Sequence, residues 1–245
     1  MRRLTAAELL EAWENSIAYP AFQRDLNLLG AACPEYSSDE LKSLSIGRRD
    51  GLLLTLREWI FGTRLTALAD CPACGVRAEL EMSTAEIRMP QQPELPAVHE
   101  LAIENLNIHF RLPNGNDLAS LAARRHLEDG RSFLLQCCIL SVEKSGGSEP
   151  KQNLSQAAIS AVIQEMARLD SQADVRLELN CPACARQWSE PFNIGLFFWE
   201  ELQRWALRLL GEVHSLATAY GWREADILSM SSRRRQLYLQ MIGHE

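Results

Sequence analysis

Apolar residues recur at helical spacing through the opening third of the chain. Thr5 with Glu8 three positions on forms a capping box, and Leu9, Leu10 and Trp13 give the following helix one apolar face. Pro20 suits the first turn of a second helix carrying Phe22, Leu26 and Leu29. Ser38-Asp39-Glu40 starts a third ahead of Leu41 and Leu44. Ile46-Gly47-Arg48-Arg49-Asp50 then leads into an apolar helix over residues 52–61, which Gly62 can stop.

The period changes after that. Residues 76–82 alternate apolar and polar, and residues 101–112 alternate around Ile103, Leu106, Ile108 and Phe110, so 76–112 reads as β-rich. Pro90, Pro93 and Pro96 make the span between them a loop or an edge. Pro113-Asn114-Gly115-Asn116-Asp117 has turn chemistry, with Asn116 or Asp117 placed to cap a helix beginning at Leu118. Helices over 117–126 and 130–141 follow, then a flexible linker at 144–152, then a helix over 154–169. Strands are expected over 175–179 and 187–192. A long helix over 195–219 carries Leu196, Trp199, Leu202, Ala206, Leu209, Leu210 and Val213 on one broad face, and short helices start at Glu224 and Ser232.

These elements predict an α+β protein, mainly helical with a small antiparallel sheet. The expected organisation is a single domain over 1–245. Within it run a helical segment over 1–68, a β-rich segment over 69–112, helices over 117–169 and a C-terminal segment over 172–245. No tandem repeat at solenoid spacing is present, but strand plus cysteine pair occurs twice.

That doubled feature carries the chemistry. Cys-Pro-Ala-Cys stands at Cys71–Cys74 and again at Cys181–Cys184. Two residues between cysteines let a tight turn aim two thiolates at one point, the bite of a zinc knuckle, and two knuckles complete a tetrahedral four-cysteine site. The reading favoured by the spacing is one structural zinc held by Cys71, Cys74, Cys181 and Cys184, a zinc-ribbon-like site joining the two halves of the chain. Two separate sites, with His99 or His109 nearest the first pair, stay open, as do a disulfide or free thiols. A thioredoxin-like dithiol would sit at the start of a helix, and a zinc deaminase needs His-x-Glu before Pro-Cys-x-x-Cys; neither pattern is met. A closed four-thiolate site leaves no position for a reacting water.

Composition narrows the partners. Net charge is −7 over 245 residues, with 47% hydrophobic and 23% charged residues. An acidic chain argues against a general nucleic-acid binder. Of seven cysteines three lie outside the knuckles, and Cys137 and Cys138 sit in an apolar run as buried small hydrophobes, which fits a reducing compartment. No signal-peptide pattern and no bilayer-spanning apolar run are seen. Gly-rich phosphate loops, nucleophile elbows and His-Glu-x-x-His motifs are lacking, and Glu200-Glu201 point to different sides of a helix. The long helix is apolar over more than one stripe. Trp199, Trp205, Trp222 and the run Arg233-Arg234-Arg235 are therefore the candidate surface for a protein partner, the arginines reading as an exposed helix side or as salt bridges to an acidic partner.

Several segments together resemble one family. They are Ile46-Gly47-Arg48-Arg49-Asp50 with Leu56-Arg57-Glu58 and Phe61-Gly62, Cys71-Pro72-Ala73-Cys74-Gly75, and Phe110-Arg111-Leu112-Pro113 with Asp117-Leu118. Asp170 with Gln172-Ala173-Asp174, the second knuckle, Trp199-Glu200, Val213-His214, Ala219-Tyr220-Gly221-Trp222 and Arg233-Arg234 with Tyr238-Leu239 complete the set. The chain resembles the T4-type baseplate hub assembly chaperone family of contractile-tailed phages and phage-tail-like contractile injection systems. One departure is Ala185, where glycine is usual after a knuckle. The resemblance implies a non-enzymatic role in building the baseplate hub, with hub, spike or tape-measure proteins as partners and no membrane. It places the chain in the cytoplasm or, once assembled, in a virion or injection particle. Two other classes stay open on the residues alone, a zinc-ribbon nucleic-acid adaptor and an enzyme using the zinc.

Overall fold

The computed structural model describes residues 1–90, 96–124, 129–144, 147–148, 150 and 154–243. The chain folds as two compact units, one made of Met1–Ser37 and Ile194–Glu245, the other of Ser38–Asn193. The architecture is α+β, with the helical content and small antiparallel sheets expected from the sequence.

The first unit is all helix. It holds α1 (Ala6–Glu14), α2 (Ala21–Ala32), α9 (Ile194–Tyr220), α10 (Glu224–Ser229) and α11 (Ser232–Ile242). Thr5 caps α1 in the expected capping box with Glu8. The apolar stripes of α1 and α2, Leu9, Leu10, Trp13, Leu26 and Leu29, are buried, as are Phe198, Leu202, Ala206 and Leu209 of α9. Further along, Val213 and Leu216 pack with Ile227, and Trp222, Tyr238 and Leu239 close over them.

The second unit begins with α3 (Ser38–Ser43) and α4 (Ile46–Phe61). Its first hairpin pairs β1 (Arg64–Asp70) with β2 (Arg77–Ser83), and α5 (Thr84–Ile87) follows. A four-stranded antiparallel sheet runs in the order β3 (His99–Ile103), β4 (Leu106–Phe110), β5 (Ile139–Lys144), β6 (Gly147–Ser148). α6 (Gly115–Ala122) and α7 (Gly130–Cys138) lie between β4 and β5 in sequence. α8 (Gln156–Leu169) lays Ala158, Val162 and Met166, spaced four apart, onto Ile108, Phe110, Ile139 and Val142 of the sheet. A 3-10 turn at Ser171–Asp174 then leads into the second hairpin, β7 (Arg176–Asn180) with β8 (Gln187–Pro191).

Several sequence expectations change. Residues 64–68 belong to β1, whereas the sequence placed them in the opening helical segment. Residues 101–112, expected only to alternate within a β-rich segment, resolve into the β3–β4 hairpin through a two-residue turn at Glu104-Asn105, with Glu104 at φ 56. The cap before α6 is Asn114, whose side chain accepts from the N–H groups of Asn116 and Asp117. α7 stops at Cys138 because Ile139 turns into β5. The proline loop falls partly, and the linker over 144–152 mostly, outside the described residues, although Gly147–Ser148 pair with β5 as a short strand.

Candidate metal centre

Each Cys-Pro-Ala-Cys segment is the turn of a hairpin, the first between β1 and β2, the second between β7 and β8. The two turns share one hydrogen-bond scheme. Cys71 N–H donates to Val76 O at 3.0 Å and Gly75 N–H to Cys71 O at 2.9 Å; Cys181 N–H donates to Arg186 O at 2.9 Å and Ala185 N–H to Cys181 O at 3.0 Å. The residue after each second cysteine is left-handed, Gly75 at φ 71 and Ala185 at φ 58. Glycine enters that region freely, while alanine bears a Cβ–carbonyl clash.

The two tips meet. All four sulfurs lie within 4.8 Å of one another. The shortest separations run between hairpins, Cys71 Sγ to Cys184 Sγ at 3.7 Å and Cys74 Sγ to Cys181 Sγ at 3.6 Å, across 113 and 107 positions of sequence. A tetrahedron with metal–sulfur bonds of about 2.3 Å has sulfur–sulfur edges of about 3.8 Å, so the residues present fit a four-coordinate ion of zinc size. A disulfide needs about 2.05 Å, and all seven cysteines are free. Cys71 and Cys181 are buried, Cys74 and Cys184 exposed. His99 and His109 are not members of the cluster.

The electrostatics point the same way. The N–H of Cys184, with that of Ala183, pulls the Cys181 thiol down to about 6. Cys74 also receives an N–H, from Val76, yet the neighbouring sulfurs push it up to about 12; Cys184 is raised as well, the Arg186 N–H being outweighed only by Cys181, burial and Cys71 together. One thiolate forms readily and then opposes the next, as for any set of like charges at this spacing. A bound cation removes that conflict and leaves the N–H groups as supports for the sulfurs.

Beside the hairpins lie residues that stand as motifs in the sequence without a role of their own. Asp170, at the end of α8, accepts from Ser45 Oγ at 3.0 Å and from Gly47 N–H at 2.9 Å, at the start of α4. A Cβ on residue 47 would stand 2.3 Å from Asp170 Oδ1, which explains the glycine. Burial raises the Asp170 pKa despite those donors. Gln172 accepts from Met89 N–H at 2.8 Å and donates to Ile87 O at 3.2 Å. Arg111 grips Asp117 through two bonds of 2.6 and 2.7 Å. The fully buried Arg57 donates to Gly62 O at 2.6 Å and Arg64 O at 2.7 Å, fixing the entry to β1. Arg57 and Arg111 adjoin apolar residues in sequence, which hints at a buried group but not its partner, whereas Asp117, Asp170 and Gln172 stand in polar runs that give no such signal.

The candidate partner residues scatter within the first unit. Trp199 is buried, with the Arg24 guanidinium 4.5 Å from its ring. Trp222 is half-buried, stacked at 4.4 Å on Tyr220 and edge-on at 4.8 Å to Tyr238. Arg233 and Arg234 are exposed. Arg235 is buried and held by Glu212 at 3.0 Å and by Met230 O at 2.8 Å. Trp205 is half-buried and lines a groove between α9 and α11.

Two hairpins far apart in sequence, meeting tip to tip through four thiols in an α+β frame, define a scaffold with a cluster that could hold a metal ion. The sequence matches the family described as T4 bacteriophage base plate protein over residues 26–199, well over half of the chain and spanning both knuckles, and the chain belongs to that family. Its role is accordingly a structural or assembly one in a phage-type tail, among other tail proteins. No curated protein and no solved structure matches the chain. Among the described residues no helix is long and apolar enough to cross a membrane.

Proposed function

We propose that the protein is a non-enzymatic assembly chaperone or adaptor for the baseplate hub of a contractile tail or injection system, and that one structural zinc sits among Cys71, Cys74, Cys181 and Cys184. The observation that carries the reading is the four-sulfur cluster inside the segment matched to the base plate family. In this reading the ion lets all four sulfurs be thiolates at this spacing and so fixes the two hairpins, and the protein offers rigid surface to hub, spike or tape-measure components. A four-thiolate shell has no open position, so the ion binds structure and performs no hydrolysis. The protein meets its partners in the cytoplasm during assembly.

Co-expression with the tail proteins encoded beside its gene, followed by affinity purification, tests the role. Stoichiometric recovery of a hub, spike or tape-measure protein is the expected result; recovery of nucleic acid in place of protein overturns it. Cobalt substitution tests the shell: intense thiolate-to-cobalt charge-transfer bands with tetrahedral d–d bands are expected, and a solvent-bearing five- or six-coordinate spectrum overturns the structural assignment.

A further inference from the structure

Between α9 and α11 the first unit carries a groove of about 380 Å³, lined by Trp205, Arg208, Leu209 and Glu212 from α9 and Ser232, Arg235 and Gln236 from α11. The α9 positions fall at i, i+3, i+4 and i+7, one continuous stripe. Leu209 is buried and Trp205 half-buried, so the lining offers two apolar side chains among five polar or charged ones. The acid in the groove is already answered: Glu212 accepts from Arg235 Nε at 3.0 Å and from Gln236 Nε2 at 2.8 Å. Glu201, one turn before Trp205, also has a partner.

The charge left at the rim is positive. Arg208, which lines the groove, is exposed; Arg204 and Arg233, next in sequence to the lining residues Trp205 and Ser232, are exposed too, as is Glu200 one turn before Arg204. The first N–H groups of α11 add partial positive charge, with Ser231 as the cap. This rim stands out on a chain of net charge −7. All seven lining residues lie beyond residue 199, outside the span matched to the family.

We propose that this groove docks an acidic segment of a partner protein, one carboxylate meeting Arg208 and one apolar or aromatic side chain entering over Trp205 and Leu209. The proposal rests on the assembly role above and names the chemistry of the partner. A space of this size holds roughly two or three side chains, which suits a short anchoring motif at a protein contact. The chain's net charge of −7 opposes a row of phosphates, which sets nucleic acid as the competing outcome.

The test uses the full chain with p-benzoylphenylalanine in place of Gln236, co-expressed with the neighbouring tail proteins and irradiated. The expected product joins residue 236 to a segment of a tail protein with Asp or Glu within a few positions of the attachment. Arg208→Glu lowers its yield on the order of tenfold, and Arg3→Glu, an exposed control in the same unit, leaves it unchanged. Arg208→Gln gives a smaller loss and keeps the test readable if charge reversal disturbs the melt of the chain. Equal yields in all variants, a captured segment without net negative charge, or label on nucleic acid overturns the proposal. If tail proteins co-purify but no photoproduct forms, the groove assignment falls and the assembly role stands. If none co-purifies, the assembly role itself falls.

Discussion

The two knuckles share their Cys-Pro-Ala-Cys turn and differ at the residue that follows it, and that difference gives a prediction with a calculable size. Ala185 holds φ 58 where its counterpart Gly75 holds φ 71, within the same pair of backbone hydrogen bonds. An L-residue in the left-handed region is disfavoured by about 1–2 kcal/mol. Glycine offsets part of the strain relief through the extra freedom it gives the unfolded chain, a cost of about 0.4–1 kcal/mol. Ala185→Gly should therefore stabilise the metal-loaded protein by about 0.5–1 kcal/mol. Gly75→Ala should destabilise it by a similar amount, through backbone strain alone, because a Cβ there meets nothing within 4 Å. The strain sits inside the ligand turn, so chelator competition should shift with it, by about two- to fivefold in apparent affinity. The double swap, Gly75→Ala with Ala185→Gly, should return close to the parent value. Urea denaturation and competition against a coloured chelator read both quantities. A neutral or destabilising Ala185→Gly, or a harmless Gly75→Ala, would refute the claim that the αL position limits the second knuckle.

Three further outcomes are expected. Cys71→Ser and Cys181→Ser should each lose bound metal, measured by elemental analysis, together with thermal stability; either variant keeping full metal and melting temperature would show that the four sulfurs do not share an ion. Asp170→Ala strips the acceptor from the N–H of Gly47 and the hydroxyl of Ser45, and leaving a buried donor unmet should cost about 2 kcal/mol in urea denaturation, an unchanged midpoint counting against that bracket. The Asp117 carboxyl is pushed up by burial, but the bonds from Arg111 and the Asn114 N–H outweigh that and hold it below its ordinary 3.8. Its contribution to stability is thus fully present above about pH 4 and is lost as pH falls below it; Asp117→Asn should flatten the acid limb of a stability–pH profile, and an unaltered limb would dismiss the pair as a source of acid sensitivity.

The cluster was legible in the sequence because its signal is local: two Cys-x-x-Cys turns state their own geometry, and only their meeting is a tertiary fact. The second hairpin was equally plain, since Leu177, Leu179 and Trp188 alternate cleanly around their turn. β1 was not. Ala67 and Ala69 give its inward face little apolar weight, and Leu68 stands on the outward face with 65% exposure, so period two is blurred. The β3–β4 hairpin was hidden for a different reason. Its turn is Glu104-Asn105 in place of a glycine pair, so no glycine marks a break in the alternation. Arg235 sits in a run of three arginines that invites a solvated reading. Its burial depends on Glu212, 23 positions earlier on a different helix, and no local pattern encodes that distance.

The motif residues outside the knuckles acquire a common purpose once the two hairpins are followed to their bases. β1 leaves the end of α4, where Arg57 holds the carbonyls of Gly62 and Arg64; β7 leaves the 3-10 turn that contains Gln172. Gln172 is bonded to Ile87 and Met89, just past β2, and Asp170 is bonded to the start of α4. The bases are therefore joined before the tips are considered. Closing the cysteine tips across the open chain means ordering a loop of 107 residues between Cys74 and Cys181. With Gln172 already joined to Met89, the remaining ring holds only about 25 residues, and the closure entropy falls by about 1 kcal/mol. For the proposed ion that saving would accrue to affinity, since an ion binds whatever fraction of chains already has its sulfurs together. The buried polar brackets and the thiol cluster thus act on one equilibrium from opposite ends of the same two hairpins.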